Sequence, residues 1–199
     1  MRIKVCGITR AADAHRAAEL GVDALGFVLW PRSPRAIALD RARAIVASLP
    51  PFVTPVGVFV DPTAEEVARA RDAGLQVAQV HGAAPTMPPG MPLLQAVHLA
   101  ADGEGIVPPV PANSPVLVDA FDPERRGGTG RTVDWARVGR IAAARPVVLA
   151  GGLTAGNVAT AIREARPYGV DVSSGVEQAP GVKDHDKLAA FVAAVRAEA

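Results

Sequence analysis

Six short stretches of this 199-residue chain carry side chains that could do chemistry, and each follows an apolar run: Cys6-Gly7, Ser33-Pro34-Arg35, His81-Gly82, Asp119, Gly151-Gly152 and Ser173-Ser174-Gly175. A thiolate such as Cys6 can remove a proton, and a protonated carboxyl such as Asp119 can supply one. The planar fork of Arg35 suits a carboxylate. Glycine and serine turns let backbone N–H groups approach an anion, which makes Gly151, Gly152, Ser173, Ser174 and Gly175 a candidate phosphate cradle. Each residue also has a plainer reading. A lone Cys in an apolar segment is often a small buried hydrophobe, and an Asp after a strand often caps a turn. His81 could be an interior histidine, Arg35 a surface cation, and the glycine pairs two tight turns. Position is what lifts all of them together.

The runs are Ile3–Cys6, Ala24–Leu29, Pro55–Val60, Val77–Val80, Leu93–His98, Val116–Asp119, Val147–Ala150 and Gly169–Val172. They are nearly continuous in hydrophobicity, as in strands of a parallel sheet buried on both faces. Helical periodicity follows most of them, over 11–20, 40–48, 63–73, 134–144, 154–166 and 184–198. Gly21 is a fitting stop for the first helix. Asp40, Thr63 with Glu66, Asp134, Thr154 and Asp184 are expected N-terminal caps. Two crossovers lack helical period. Gly82–Pro92 holds four prolines, and Ala100–Ser114 holds Pro108, Pro109 and Pro111. Interior proline breaks helices, so loops or single turns are expected there.

Eight such strands with right-handed crossovers predict an α/β chain folded as a single (β/α)8 TIM barrel over 1–199, with short or irregular crossovers after strands four and five. An open doubly wound sheet would call for a glycine-rich fingerprint after strand one, where Gly7 stands alone. Active sites of such barrels lie at the C-terminal strand ends. Cys6 is thereby expected opposite Asp119 and across from the phosphate cradle. Strands two and eight share a Gly-Val-Asp at Gly21–Asp23 and Gly169–Asp171, an echo close to chance.

Bulk composition excludes several classes. Twenty-one Lys and Arg against twenty Asp and Glu give a net charge of +1, without the basic stripe of a nucleic-acid binder. No apolar run approaches the ~20 residues needed to cross a bilayer. One cysteine excludes an internal disulfide and suits a reducing cytoplasm. Apolar residues make up 49% and aromatics 4%, so the core must be built from Ala, Val, Leu and Ile.

Lys4-Val5-Cys6-Gly7-Ile8-Thr9 resembles the opening signature of the phosphoribosylanthranilate isomerase family. Gly26-Phe27, Ser33-Pro34-Arg35, Val56–Phe59 and Gln79-Val80-His81-Gly82 resemble its next three strands. Val118-Asp119, Gly127–Thr132, Asp134-Trp135, Leu149–Leu153 with Asn157, Val170–Glu177 and Pro180–Asp186 continue the match, in order, to about residue 187. The two proline-rich crossovers depart from members with regular fourth and fifth helices.

The resemblance implies an Amadori rearrangement in tryptophan biosynthesis. The aminoaldose N-(5′-phosphoribosyl)anthranilate becomes 1-(2-carboxyphenylamino)-1-deoxyribulose 5-phosphate, without cofactor or metal. By the family pattern Asp119 is the general acid, Cys6 the general base, and Arg35 the partner of the anthranilate carboxylate. These roles require Asp119 protonated at neutral pH and Cys6 with a pKa at or below an ordinary thiol's. The three glycines of 127–132 suit a flap over the substrate. The expected partner is a small phosphoribosyl molecule, with no nucleic acid or membrane, in a monomer or homodimer. A metal-dependent sugar epimerase would need several His and Asp ligands at the rim, where His81 and His98 are the candidates. A doubly phosphorylated substrate would need a second cradle, for which strands two to four offer no glycine pair. A binding module without catalysis would tolerate loss of Cys6 or Asp119, and both are present.

Overall fold

Side chains alternate between the two faces of a strand, so every barrel strand must satisfy a helix layer outside and a filled interior. The computed structural model describes residues 1–99, 106–111, 114–119 and 134–198. The first five strands are β1 (Arg2–Cys6), β2 (Ala24–Val28), β3 (Thr54–Val60), β4 (Val77–His81) and β5 (Leu93–Leu99). A two-residue strand, β6 (Ile106–Val107), runs antiparallel on the end of β5. Then come β7 (Val116–Val118), β8 (Val147–Leu149) and β9 (Gly169–Val172). All except β6 are parallel, and β1 pairs with both β2 and β9 while β4 pairs with β5. The eight parallel strands therefore close into the expected barrel, each beginning and ending within one residue of its predicted bounds.

Six helices are described: α1 (Ala11–Glu19), α2 (Leu39–Val46), α3 (Ala64–Asp72), α4 (Trp135–Ala142), α5 (Val158–Ala165) and α6 (His185–Arg196). Three expected caps are present. Thr63 and Glu66 form a reciprocal capping box on α3, Asp134 accepts from the Arg137 N–H, and Asp184 accepts from those of Asp186 and Lys187. Two are corrected. Ala38 precedes α2 in extended conformation, and Asp40 sits inside the first turn, where its charge still meets the helix dipole. Thr154 does not cap α5, which starts at Val158 after Asn157. The Asn157 side chain instead accepts from the Thr154 N–H at 2.8 Å and donates to the Gly152 carbonyl at 2.9 Å, pinning the turn after β8.

Residues 82–92 contain no helix, as the prolines require. The barrel wall there is closed by other means: Met91 is buried, and Gln95 donates to the carbonyls of Val80 at 2.9 Å and Gly82 at 3.0 Å. Strand β6 falls in the second proline-rich crossover and was not expected. Nor was the hairpin of β10 (Glu177–Ala179) and β11 (Val182–Lys183), which follows a single 3-10 turn at Ser174–Val176.

One layer of the core lies between strands and helices, with Ile3, Val5, Leu25, Phe27, Val170 and Val172 packed against residues such as Ala14, Ala42, Val67, Ala161, Leu188 and Phe191. The alternate residues point inward. On β5, β7 and β8 these are apolar apart from His98 near the end of β5, and Ala96, Leu117 and Ala150 cluster with Leu94 and Val148. On β1 and β9 the corresponding positions are Lys4, Cys6 and Asp171. The Gly-Val-Asp echo is not structural: Asp23 precedes β2, whereas Asp171 lies within β9.

Candidate active site

The C-terminal ends of the strands surround a pocket of about 500 Å³. Its lining includes Cys6, Arg35, His81, Asp119, Gly151, Gly152, Ser173, Ser174 and Gly175, so all nine residues singled out from the sequence meet at one site. The expected arrangement needs one correction. Strand order places β9 and β8 between β1 and β7, so the glycine and serine turns occupy the shorter arc from Cys6 to Asp119 and do not face them from across the barrel.

Backbone shape explains the glycines at that arc. Gly151 and Gly152 have φ of +87° and +64°, a region that L side chains rarely adopt. A Cβ on Gly175 would lie 1.9 Å from the Leu153 carbonyl oxygen, so only glycine lets the turns after β8 and β9 approach this closely. Among the described residues the buried Ser173 hydroxyl has no hydrogen-bond partner there. A buried unsatisfied hydroxyl is costly, and a ligand oxygen would satisfy it.

Beneath this rim lies a lattice of buried charge. Lys4 Nζ is 2.9 Å from Asp171 Oδ1, with side chains 6% and 8% exposed. Burial opposes charge on both partners and raises the Asp171 carboxyl, but attraction to Asp171 and Cys6 holds the Lys4 ammonium above its ordinary value. A second group ties the β10–β11 hairpin to the rim. Lys183, whose side chain is wholly buried, donates to Glu177 Oε1 at 2.9 Å and to the carbonyls of Cys6 at 2.5 Å and Ser173 at 3.3 Å. Burial lowers the Lys183 ammonium against the pull of Glu177. Glu177 also grips Arg35 through both carboxylate oxygens, at 2.7 to 3.1 Å. Burial disfavours the Glu177 carboxylate, yet Arg35 and Lys183 together keep its pKa below the usual range. Arg35 is thus a fixed cation at the pocket wall. Its Nη1 takes no part in the bonds to Glu177.

Cys6 departs from the sequence expectation. Burial pushes its thiol up, Asp171 adds to this, and Lys4 and Lys183 only partly offset them. Removing the sulfur from water thus disfavours the thiolate more than two nearby ammonium groups favour it. At the end of β4, His81 Nε2 lies 3.0 Å from the Gln79 amide nitrogen. Among the described residues, no three His, Cys, Asp or Glu side chains gather as a metal-ligand set, and no helix is long and apolar enough to cross a membrane. The expected flap at 127–132 lies outside the described residues.

Four residues of this lattice lie within the stretches that carry the resemblance but were given no site role from the sequence: Lys4, Asp171, Glu177 and Lys183. A signal existed for two of them. Lys4 and Asp171 are charges inside runs otherwise buried on both faces, and Lys4 shares a strand face with Cys6 two residues on. Glu177 and Lys183 carried no comparable signal, because the hairpin that buries them has no apolar alternation.

Comparison with known proteins agrees with this site. The model of a family described as N-(5'phosphoribosyl)anthranilate (PRA) isomerase matches residues 3–194. The chain is 48% identical to the N-(5'-phosphoribosyl)anthranilate isomerase of Acidithiobacillus ferrooxidans and 45% identical to that of Pseudomonas fluorescens, covering 98% of both chains in each case. It is similar to the crystal structure of the Thermus thermophilus phosphoribosyl anthranilate isomerase, with 40% identity, a TM-score of 0.83 and 99% of each chain covered. A phosphoribosyl anthranilate isomerase solved in complex with reduced 1-(o-carboxyphenylamino)-1-deoxyribulose 5-phosphate superimposes with a TM-score of 0.81, at 33% identity over 99% of each chain. Matched from the first strand to the last helix, this chain belongs to the phosphoribosylanthranilate isomerase family.

Proposed function

We propose that the chain isomerises N-(5′-phosphoribosyl)anthranilate to 1-(2-carboxyphenylamino)-1-deoxyribulose 5-phosphate, a step of tryptophan biosynthesis. The observation that carries this reading is the convergence of a thiol, a carboxyl, a fixed guanidinium and two glycine-serine turns on one pocket in a chain of this family.

Asp119 protonates the ring oxygen, and the anilino nitrogen drives C1′–O cleavage to give an open-chain Schiff base. Cys6, as thiolate, removes the C2′ proton to leave an enolamine. Protonation at C1′ and loss of the C2′ hydroxyl proton then yield the aminoketose. The phosphate sits against the turns after β8 and β9, the usual phosphate site of this fold, where the Ser173 hydroxyl gains a partner. Arg35, held by Glu177, presents its remaining N–H groups to the anthranilate carboxylate. A free thiol is needed throughout, which suits a reducing cytoplasm.

The test is to follow the fluorescence of the aminoaldose with purified protein. Turnover is expected, with Cys6→Ala and Asp119→Asn each losing at least ~10²-fold. Binding without turnover would sink the enzyme reading in favour of a binding module. Full turnover by Cys6→Ala or by Asp119→Asn would remove that residue from its role.

A further inference from the structure

A half-buried thiol that must ionise is helped by a counter-ion, and the barrel interior offers one. Lys4 and Cys6 lie two residues apart on β1 and both face inward beside Gly26 of β2, which is Cys6's register partner. The point that a Gly26 Cβ would occupy lies 2.9 Å from Cys6 Sγ and 3.2 Å from Lys4 Nζ. Sulfur and ammonium thus flank a single point that only a glycine leaves open, within the range where opposite charges couple strongly. Asp171 fixes the ammonium from β9, directly across the register from Lys4.

We propose that Lys4 is a positioning residue that serves as counter-ion to the Cys6 thiolate, with Asp171 holding its ammonium in place and Gly26 leaving the space for both. The proposal rests on the reading of Cys6 as base. During turnover the C2′ proton passes to Sγ, and the sulfur's negative charge is exchanged for the electron pair of the enolamine. Lys4 stays an ammonium throughout, so no proton leaves the Lys4–Asp171 pair. The other charges that bear on the thiol are Lys183 from β11, which assists the thiolate, and Asp171, which opposes it. Asp119 and Arg35 line the same pocket. Among these charges the Lys4 ammonium acts most strongly on the thiol, ahead of the opposing Asp171 carboxylate, so removing the pair together still costs the thiolate support.

Cys6 is the only cysteine, so the pH dependence of alkylation by iodoacetamide reports its ionisation directly in the ligand-free protein. Lys4→Met alone would strand the Asp171 carboxylate. The double variant Lys4→Met/Asp171→Asn leaves no buried unpaired charge and keeps the test open if the single variant does not fold. In the double variant the alkylation midpoint is expected to rise by ~1 pH unit or more, with kcat falling at neutral pH, recovering as pH rises, and KM little changed. Lys4→Arg is expected to bring the midpoint back toward that of the unaltered protein. A midpoint unchanged in a folded double variant would overturn the proposal, as would a Lys4→Arg midpoint no lower than that of the neutral variant. These readings need no substrate. Full turnover by Cys6→Ala would sink the base assignment alone, and a flat midpoint would sink the counter-ion alone.

Discussion

The interior of this barrel is divided into two arcs of opposite character. Along β5, β7 and β8 it is filled by Leu94, Ala96, Leu117, Val148 and Ala150. Along β9 and β1 the same inward positions hold Asp171, Lys4 and Cys6. The apolar arc stabilises the fold by burial. The ionic arc takes two charges out of water, and a well-packed apolar replacement would serve stability as well or better. Its charges gather around the Cys6 thiol, so on the proposed reading the apolar arc holds the barrel together while the ionic arc conditions the chemistry.

Paired substitutions would break that division if it is wrong. Leu117→Ala is expected to cost ~2–5 kcal/mol in denaturant unfolding, as for a fully buried leucine, with little change in kcat per folded molecule. Lys4→Met/Asp171→Asn should do the reverse, leaving unfolding free energy unchanged or raised while kcat at neutral pH drops ~10-fold. If both variants lose stability alike and activity alike, the two arcs do not differ in role.

The seam between the arcs can be probed at Gly175. An alanine there would press on the Leu153 carbonyl, and the turns after β8 and β9 would have to part. A rise of ~10-fold in KM is expected, with kcat less affected, because substrate positioning and not the acid or base is displaced. An unchanged KM would show that the seam does not carry the phosphate.

Asp13 supplies a pH-dependent contrast outside the barrel. Its buried carboxylate meets Arg10 at 2.7 Å, the Lys183 N–H at 3.1 Å and His185 at 3.0 Å, joining α1, β11 and α6. Burial disfavours its charge, but Arg10, the Lys183 N–H and His185 outweigh that and lower its pKa. A lowered carboxylate contributes stability that is present above its unfolded pKa and is lost as pH falls through the folded value. Asp13→Asn should therefore flatten the acid limb of unfolding free energy against pH, and an unaltered limb would refute it. The smallest effect belongs to Arg2. It is two residues before Lys4 and also paired, to Asp23 at 2.6 Å, but it is 64% exposed. Arg2→Ala is expected to leave both activity and melting temperature essentially unchanged, since water screens such a pair. A clear loss of turnover would mean that the ionic arc extends to the bottom of the barrel.

Much of the architecture was legible because hydrophobic runs and caps are local. The eight strands, the absence of a helix at 82–92, the capping box at Thr63 and the cap at Asp184 all follow from neighbouring residues. The start of α5 did not, since Asn157 turned its side chain to the Gly152 turn instead of leaving that work to Thr154. The nine rim residues were legible because each ends a strand or lies in the loop that follows one, and strand ends are where a barrel gathers its chemistry. Strand β6 and the β10–β11 hairpin were not, because two- and three-residue strands have too few positions to show a period.

The sequence by itself determined the barrel, its rim and its family, since these depend on the order and spacing of residue types. Tertiary structure alone decided what surrounds the thiol. Lys4 and Asp171 are 167 residues apart in the chain and become partners only when the last strand closes on the first. That closure half-buries the Cys6 thiol and raises its pKa, against the expectation of one at or below an ordinary thiol's, and it supplies the ammonium set beside it. An ionisation depends on the dielectric and the charges around a group, and in this barrel both are assembled from opposite ends of the chain.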